Sequence, residues 1–169
     1  HVIIGARAYD LHDPRRRALL LLNNLLGGPG MNSLLNVSLR EKRGYVYTVE
    51  SSVTSYTDTG LFTIYFGTDH HDTRRCIDLV RRELKRLREQ RLSASKLASA
   101  KRQFIGQLEV STDNSENVAL ALGKSFLRYG RFDSLEEVAR RVEQITADDL
   151  MAVANELLAE ERLSMLIYE

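Results

Sequence analysis

From residue 1 to residue 8 apolar and polar side chains alternate, the period of a strand with one buried face. Tyr9-Asp10-Leu11-His12 leads out of it. Asp13-Pro14 has the form of a helix start, with the aspartate as N-cap and the proline at the first helical position, where its missing N–H loses no bond. That helix is expected to run to about residue 26, where Gly27-Gly28-Pro29-Gly30 breaks it. A shorter helix from Met31-Asn32-Ser33 to about residue 41 follows, and Gly44 supplies a turn. Residues 45–53 and 61–68, rich in aromatic and β-branched side chains, predict an antiparallel hairpin closed by a loop at 55–60. Alternation places Tyr45, Tyr47 and Val49 on one face of the first hairpin strand, and Val46 and Thr48 on the other.

Beyond Thr68 the period lengthens to that of a helix. Ile77, Val80, Leu84 and Leu87 share one face, the arginines take the other, and Asp72 stands at the N-cap position. Ser93 or Ser95 opens a further helix carrying Leu97, Ala100, Phe104 and Leu108, which Thr112-Asp113-Asn114 interrupts. Asn114 or Ser115 then caps a helix bearing Val118, Leu122 and Phe126, closed by Gly130. Ser134 followed by Glu137, and Thr146 followed by Asp149, have the spacing of capping boxes, the second with the less typical aspartate. A strand at 162–168 ends the chain. The order of elements predicts an α+β fold: a largely antiparallel sheet with helices packed on one face.

The 169 residues, 43% of them hydrophobic, suffice for one core, and no Gly/Ser or proline-rich linker divides them. One domain over residues 1–169 is expected. The net charge of +1 hides an asymmetry: residues 72–102 hold eleven Lys/Arg against four Asp/Glu, and residues 103–169 hold six against thirteen. The basic stripe has no aromatic side chains interleaved for base stacking, so it reads as a solvated helix face, with no nucleic-acid partner expected. Cys76 is the single cysteine, which leaves no internal disulfide or multi-cysteine zinc site and is compatible with a reducing, cytoplasmic setting. No apolar run is long enough to span a bilayer and no cleavable leader is visible, so no membrane association is expected. His1 enters the first strand without an initiator methionine, as an excised domain would.

The common hydrolytic motifs are missing. His1, His12, His70 and His71 do not have the spacing of a zinc-ligand set, and no G-x-S-x-G elbow occurs. Cys76 falls in the first turn or so of an amphipathic helix, where burial as a small apolar residue is the commoner outcome. The glycine run lacks the Gly-Lys-Ser/Thr ending of a phosphate loop, Gly30 being followed by Met31-Asn32, and reads as a tight connection between packed helices. That leaves Arg40 and Tyr47, seven residues apart across a helix end and a strand start. On bare chemistry they are a cation near a helix C-terminus and a strand aromatic.

The segments Leu26-Gly27-Gly28-Pro29-Gly30-Met31-Asn32-Ser33-Leu34-Leu35 and Leu39-Arg40-Glu41-Lys42-Arg43-Gly44-Tyr45-Val46-Tyr47 together resemble the second domain of the pitrilysin/insulinase-like zinc metallopeptidases, the group that includes the mitochondrial processing peptidases. The later helices and the closing strand fit the same pattern, so the resemblance covers nearly the whole chain. Pro29 within the glycine run, and Tyr45 where an aliphatic residue is more usual, depart from it. The resemblance implies that Arg40 and Tyr47 are catalytic, Tyr47 donating its O–H to the scissile carbonyl oxygen and Arg40 anchoring the substrate backbone or the surroundings of the tyrosine. It implies that zinc is bound outside this chain, by an H-x-x-E-H domain upstream or in a partner subunit, so that this domain alone is inactive. Peptide is the implied substrate, and a dimer the implied state of the parent protein. The same resemblance also admits a non-catalytic homologue that acts as partner or scaffold.

Overall fold

In the computed structural model, which describes residues 1–112 and 114–168, the opening alternation becomes β1 (Val2–Ala8). Val2, Ile4 and Ala6 are buried, whereas Ile3 is exposed. β1 pairs antiparallel with β3 (Gly60–Thr68) on one side and β4 (Ser164–Ile167) on the other. β2 (Val46–Ser55) joins β3 as the expected hairpin, giving the order β2-β3-β1-β4, antiparallel throughout. The pairs Val2–Phe66, Ile4–Ile64 and Ala6–Phe62 put all six side chains on one face, and all six are buried. The sheet therefore has one apolar side, and the helices cover it.

α1 (Arg16–Gly27) buries Leu19, Leu22 and Leu26, the stripe its period marks. Its start differs slightly from expectation. Asp13 does accept the Arg15 N–H through its carboxylate (2.8 Å), but Arg16 N–H bonds to Asp13 O (3.1 Å) in a tighter turn, so the α-helical ladder begins only at Arg16. α2 (Thr73–Glu89) buries Ile77, Val80, Leu84 and Leu87 as its period requires. Asp72 precedes it without capping it, because that carboxylate lies against Arg75 (2.9 Å) instead. α3 (Ala94–Ser111) is capped by Ser93, whose hydroxyl accepts the Lys96 N–H. Both capping boxes close, Ser134 with Glu137 ahead of α5 (Leu135–Glu143) and Thr146 with Asp149 ahead of α6 (Ala147–Leu157). Aspartate is long enough for the second because it reaches both the Thr146 N–H (2.8 Å) and its hydroxyl (2.7 Å).

Two expectations need correction. The helix predicted from Met31 to residue 41 is mostly a π-helix, Asn36–Glu41, preceded by a turn. The apolar face of α4 (Ser115–Tyr129) exists but is not covered: Leu122 and Phe126 are exposed. Asn114 caps this helix through its side chain, accepting the Glu116 N–H (3.0 Å), and Gly130 ends it at φ 67°, a conformation glycine adopts without strain. Asp113, in the predicted interruption before it, lies outside the described residues.

Candidate functional site

The segment carrying Arg40 is fixed by what lies under it. Leu35 and Leu39 are fully buried, and truncating a leucine so placed costs about 2–5 kcal/mol, so one face of the short helix is pinned to the core. The π-turn is defined by Lys42 N–H reaching back to Val37 O (3.2 Å), and the Asn36 amide secures its start on Met31 O (2.6 Å). Gly44, at φ 65°, then lets its own N–H bond to Arg40 O (2.7 Å) while Tyr45 N–H bonds to Leu39 O (3.0 Å), which closes the helix and turns the chain into β2. Single π-turns recur at functional sites.

Arg40 lines a cavity of about 340 Å³ between the end of α1, the glycine loop and β2, together with Asn23, Met31, Thr48 and Glu50. Its guanidinium makes no hydrogen bond or ion pair among the described residues, although arginine carries five N–H donors. In the same wall the Asn23 Oδ1 atom is buried without a partner among those residues. The glycine run shapes this cavity by close approach: a Cβ on Gly27 would meet the Ser51 backbone nitrogen at 2.7 Å. Asn32 ties the loop to α3 through Gln103 (2.7 Å), and Asn24 ties α1 to it through Gln107 (2.6 Å). The run is thus the expected connection between packed elements, and it also lines the cavity.

Tyr47 is reached by a different device. Val46 pairs with Thr68 and Thr48 with Gly67, so two steps along β2 match one along β3 and Tyr47 is the extra residue of a β-bulge. The bulge inverts the alternation. Val46 lies inward before it, and Val49 and Val53 pack on the core after it, so the predicted grouping of Tyr45, Tyr47 and Val49 on one face does not hold. Tyr45 packs against the core, while Tyr47 is 67% exposed. The Tyr47 hydroxyl donates to the Asp69 carboxylate, and this bond, followed by lesser contributions from burial and the charge of Asp69, raises the phenol pKa above its usual value.

The two residues thus stand on neighbouring elements but make different contacts. Arg40 is in the cavity with Thr48, and Tyr47, one residue before Thr48, is outside its lining and held at the end of β3. Sequence reasoning missed Asp69, the π-turn and the bulge. Only the bulge left a signal, the odd spacing of Val46 and Val49, which cannot both face inward in a regular strand.

Among the described residues no three His, Cys, Asp or Glu side chains converge as a metal site. His70 and His71 sit in a one-turn helix, His70–Asp72, where His71 Nε2 lies 3.2 Å from one Asp72 oxygen and Arg75 takes the other (2.9 Å). The donor set does not fit zinc. Cys76 is fully buried, its thiol 3.6 Å from the Thr68 hydroxyl and pushed up in pKa chiefly by desolvation, the opposite of an activated nucleophile. Of the α2 arginines, Arg74, Arg75, Arg81 and Arg82 are exposed, as on a solvated face, and Arg86 and Arg88 are half-buried; pairs include Arg81–Glu160 (2.6 Å) and Arg86–Glu83 (3.0 Å). Among the described residues no helix is long and apolar enough to cross a membrane.

Comparison with known proteins converges on one family. Residues 1–104 match the family model of the peptidase M16 inactive domain. An uncharacterised zinc protease of Streptomyces coelicolor is 34% identical over 158 residues, which are 94% of this chain and 34% of that protein. YmxG of Bacillus subtilis, also described as an uncharacterised zinc protease, is 28% identical over 99% of this chain and 41% of its own length. The crystal structure of a peptidase M16 inactive domain from Pseudomonas fluorescens superposes with a TM-score of 0.84 at 26% identity, covering 97% of this chain and 39% of that one. The chain therefore spans about two-fifths or less of the length of these relatives. With the antiparallel sheet, the one-sided helical layer and the matched first 104 residues in agreement, this chain belongs to the peptidase M16 family, as a domain of the type its model describes as inactive.

Proposed function

We propose that residues 1–169 form one non-zinc-binding domain that binds peptide and polarises the transition state in a zinc metalloendopeptidase, the metal being held outside this chain. A peptide backbone lies along the Arg40 cavity, where the unpaired guanidinium donates to a substrate carbonyl oxygen. Tyr47 exchanges its bond to Asp69 for one to the scissile carbonyl oxygen as negative charge builds there. A phenol, whose ordinary pKa is about 10, is protonated at neutral pH, so Tyr47 can remain a donor through that step.

The observation that carries this reading is the bulge. In the register that packs Val49 and Val53 on the core, a regular strand would turn Tyr47 inward with them, whereas the extra residue leaves this large aromatic 67% exposed beside a cavity whose arginine has donors to spare. Bulges are frequent next to active sites, where they re-aim a side chain. The test is Tyr47→Phe in the longer parent protein, with zinc content measured alongside peptide hydrolysis. Turnover should fall on the order of 100- to 1,000-fold with zinc retained, the effect of losing one oxyanion donor. Unchanged turnover would remove Tyr47 from the mechanism.

A further inference from the structure

A second cavity, of about 430 Å³, opens between α1, α3, α4 and α5, within the size range of small-molecule sites, about 300–1,000 Å³. Its lining is divided by chemistry. Leu20, Phe104, Leu108, Val138 and Val142 are buried or half-buried and provide an apolar interior. Arg16, Arg17, Arg131 and Arg141 line it as well, against two carboxylates, Asp13 and Asp133.

Those carboxylates are already engaged. Both oxygens of Asp133 accept from Arg141, one of them at 3.0 Å, and the Arg131 Nε stands 3.8 Å away. The bond from Arg141, aided by the charges of Arg141, Arg131 and Arg17, holds the Asp133 carboxyl below its usual pKa, so it stays ionised and spoken for. Asp13 is paired with Arg15 (2.6 Å), which does not line this cavity. The donors, by contrast, exceed their acceptors. Arg16 gives its Nε–H to the Ser55 hydroxyl (2.9 Å), and no other hydrogen bond from its guanidinium is made among the described residues. The Arg17 guanidinium makes no hydrogen bond among the described residues, and that of Arg131 has only its 3.8 Å contact. An apolar interior bordered by guanidinium groups with unused, fork-shaped donors suits an anionic head on an apolar body.

We infer that this cavity binds a carboxylate carried on an apolar group, from either an acyl chain or the C-terminal residue of a peptide with an apolar side chain. The apolar part occupies the Leu20–Phe104–Val142 interior, and the carboxylate meets Arg17 and Arg131. Leu20 and Phe104 also border the Arg40 cavity, so a ligand here adjoins the proposed peptide path without entering it. The site stands independently of the role given to Tyr47.

Calorimetric titration of the 169-residue chain tests it with decanoate, with N-acetyl-Leu-Phe bearing a free carboxylate, and with the corresponding amides. At least one acid should bind, at least tenfold more tightly than its amide and more weakly as salt is raised. Binding of decanoate alone identifies an acyl source, and binding of the dipeptide alone a peptide terminus; either upholds the site. The paired substitution Arg17→Gln with Arg131→Gln, both at exposed residues, should weaken that acid at least tenfold, while Arg40→Gln leaves it unchanged. The inference is overturned if neither acid binds, if acid and amide bind alike, or if the double variant binds as the parent does. Hydrolysis is not measured, so a failed Tyr47 prediction and a failed binding site are told apart.

Discussion

Arg15 with Tyr9, and Arg40 with Tyr47, combine the same two side-chain types, and the fold treats them in opposite ways. Arg15 lies over the Tyr9 ring, 4.4 Å from its centre, and donates to Glu156 (2.8 Å) and Asp13 (2.6 Å), while the Tyr9 hydroxyl, in a 5% exposed residue, donates to the same Glu156 (2.8 Å). Every strong group in that cluster has a partner, and together they tie the end of β1 and the start of α1 to α6. Arg40 and Tyr47 are the reverse. The guanidinium is unpaired among the described residues, and the phenol is exposed with one carboxylate contact. A saturated cluster can only hold the fold together, because any new partner must displace an existing one. An unsaturated pair beside a cavity has bonds to offer a substrate.

The sharpest way to break the contrast is to remove one hydroxyl from each pair. In the parent protein Tyr47→Phe should reduce peptide turnover on the order of 100- to 1,000-fold and leave the melting temperature unchanged, whereas Tyr9→Phe should leave turnover unchanged and lower the melting temperature. Equal turnover losses in the two variants would show that both tyrosines act through structure. Next in size is Glu156→Ala, which takes the acceptor from the Tyr9 O–H and a partner from Arg15. Because a nearly buried hydroxyl is left without an acceptor, we expect a loss of about 1–3 kcal/mol in urea unfolding of the chain. Arg40→Ala removes no bond among the described residues and should stay within about 0.5 kcal/mol of the parent. A loss as large as that of Glu156→Ala would mean that Arg40 has a structural partner after all.

The same contrast shows what could be read in the sequence. Caps and breaks were legible because they depend on residues three or four apart: Ser134 with Glu137, Thr146 with Asp149, and Gly130 at a left-handed position. The sheet face was legible from alternation, except where one extra residue at position 47 changed its phase. The π-turn was not legible, since moving a hydrogen bond from one carbonyl to the next along the helix requires no particular side chain. Asp69 was missed for another reason. It meets Tyr47 through the pairing of β2 with β3, across 22 residues, and the register at that point is set by the bulge itself. Periodicity also marked the apolar side of α4 correctly, yet it reports which side is apolar and not whether the rest of the chain covers it.

The smallest and most specific separation of the two pairs lies at alkaline pH. Burial, then the hydrogen bond to Glu156 and its charge, raises the Tyr9 phenol above its ordinary value of 10.0. Above pH 10 the unfolded chain therefore releases a proton that the folded chain retains, so the unfolded state binds fewer protons and stability falls as pH rises. The contribution is complete below pH 10 and is lost as pH climbs toward the folded value, with a slope of at most about 1.4 kcal/mol per pH unit for one such proton. Tyr9→Phe should abolish that slope, so its unfolding curves and those of the parent converge between pH 10 and 11.5 after differing at pH 8. Tyr47, raised in the same direction by Asp69 but exposed and screened by solvent, should titrate late in an ultraviolet absorbance measurement with a much smaller matching change in stability than Tyr9 gives. If Tyr47→Phe altered the alkaline unfolding slope as much as Tyr9→Phe, the exposed phenol would be part of the folded cluster and no longer free to turn toward a substrate.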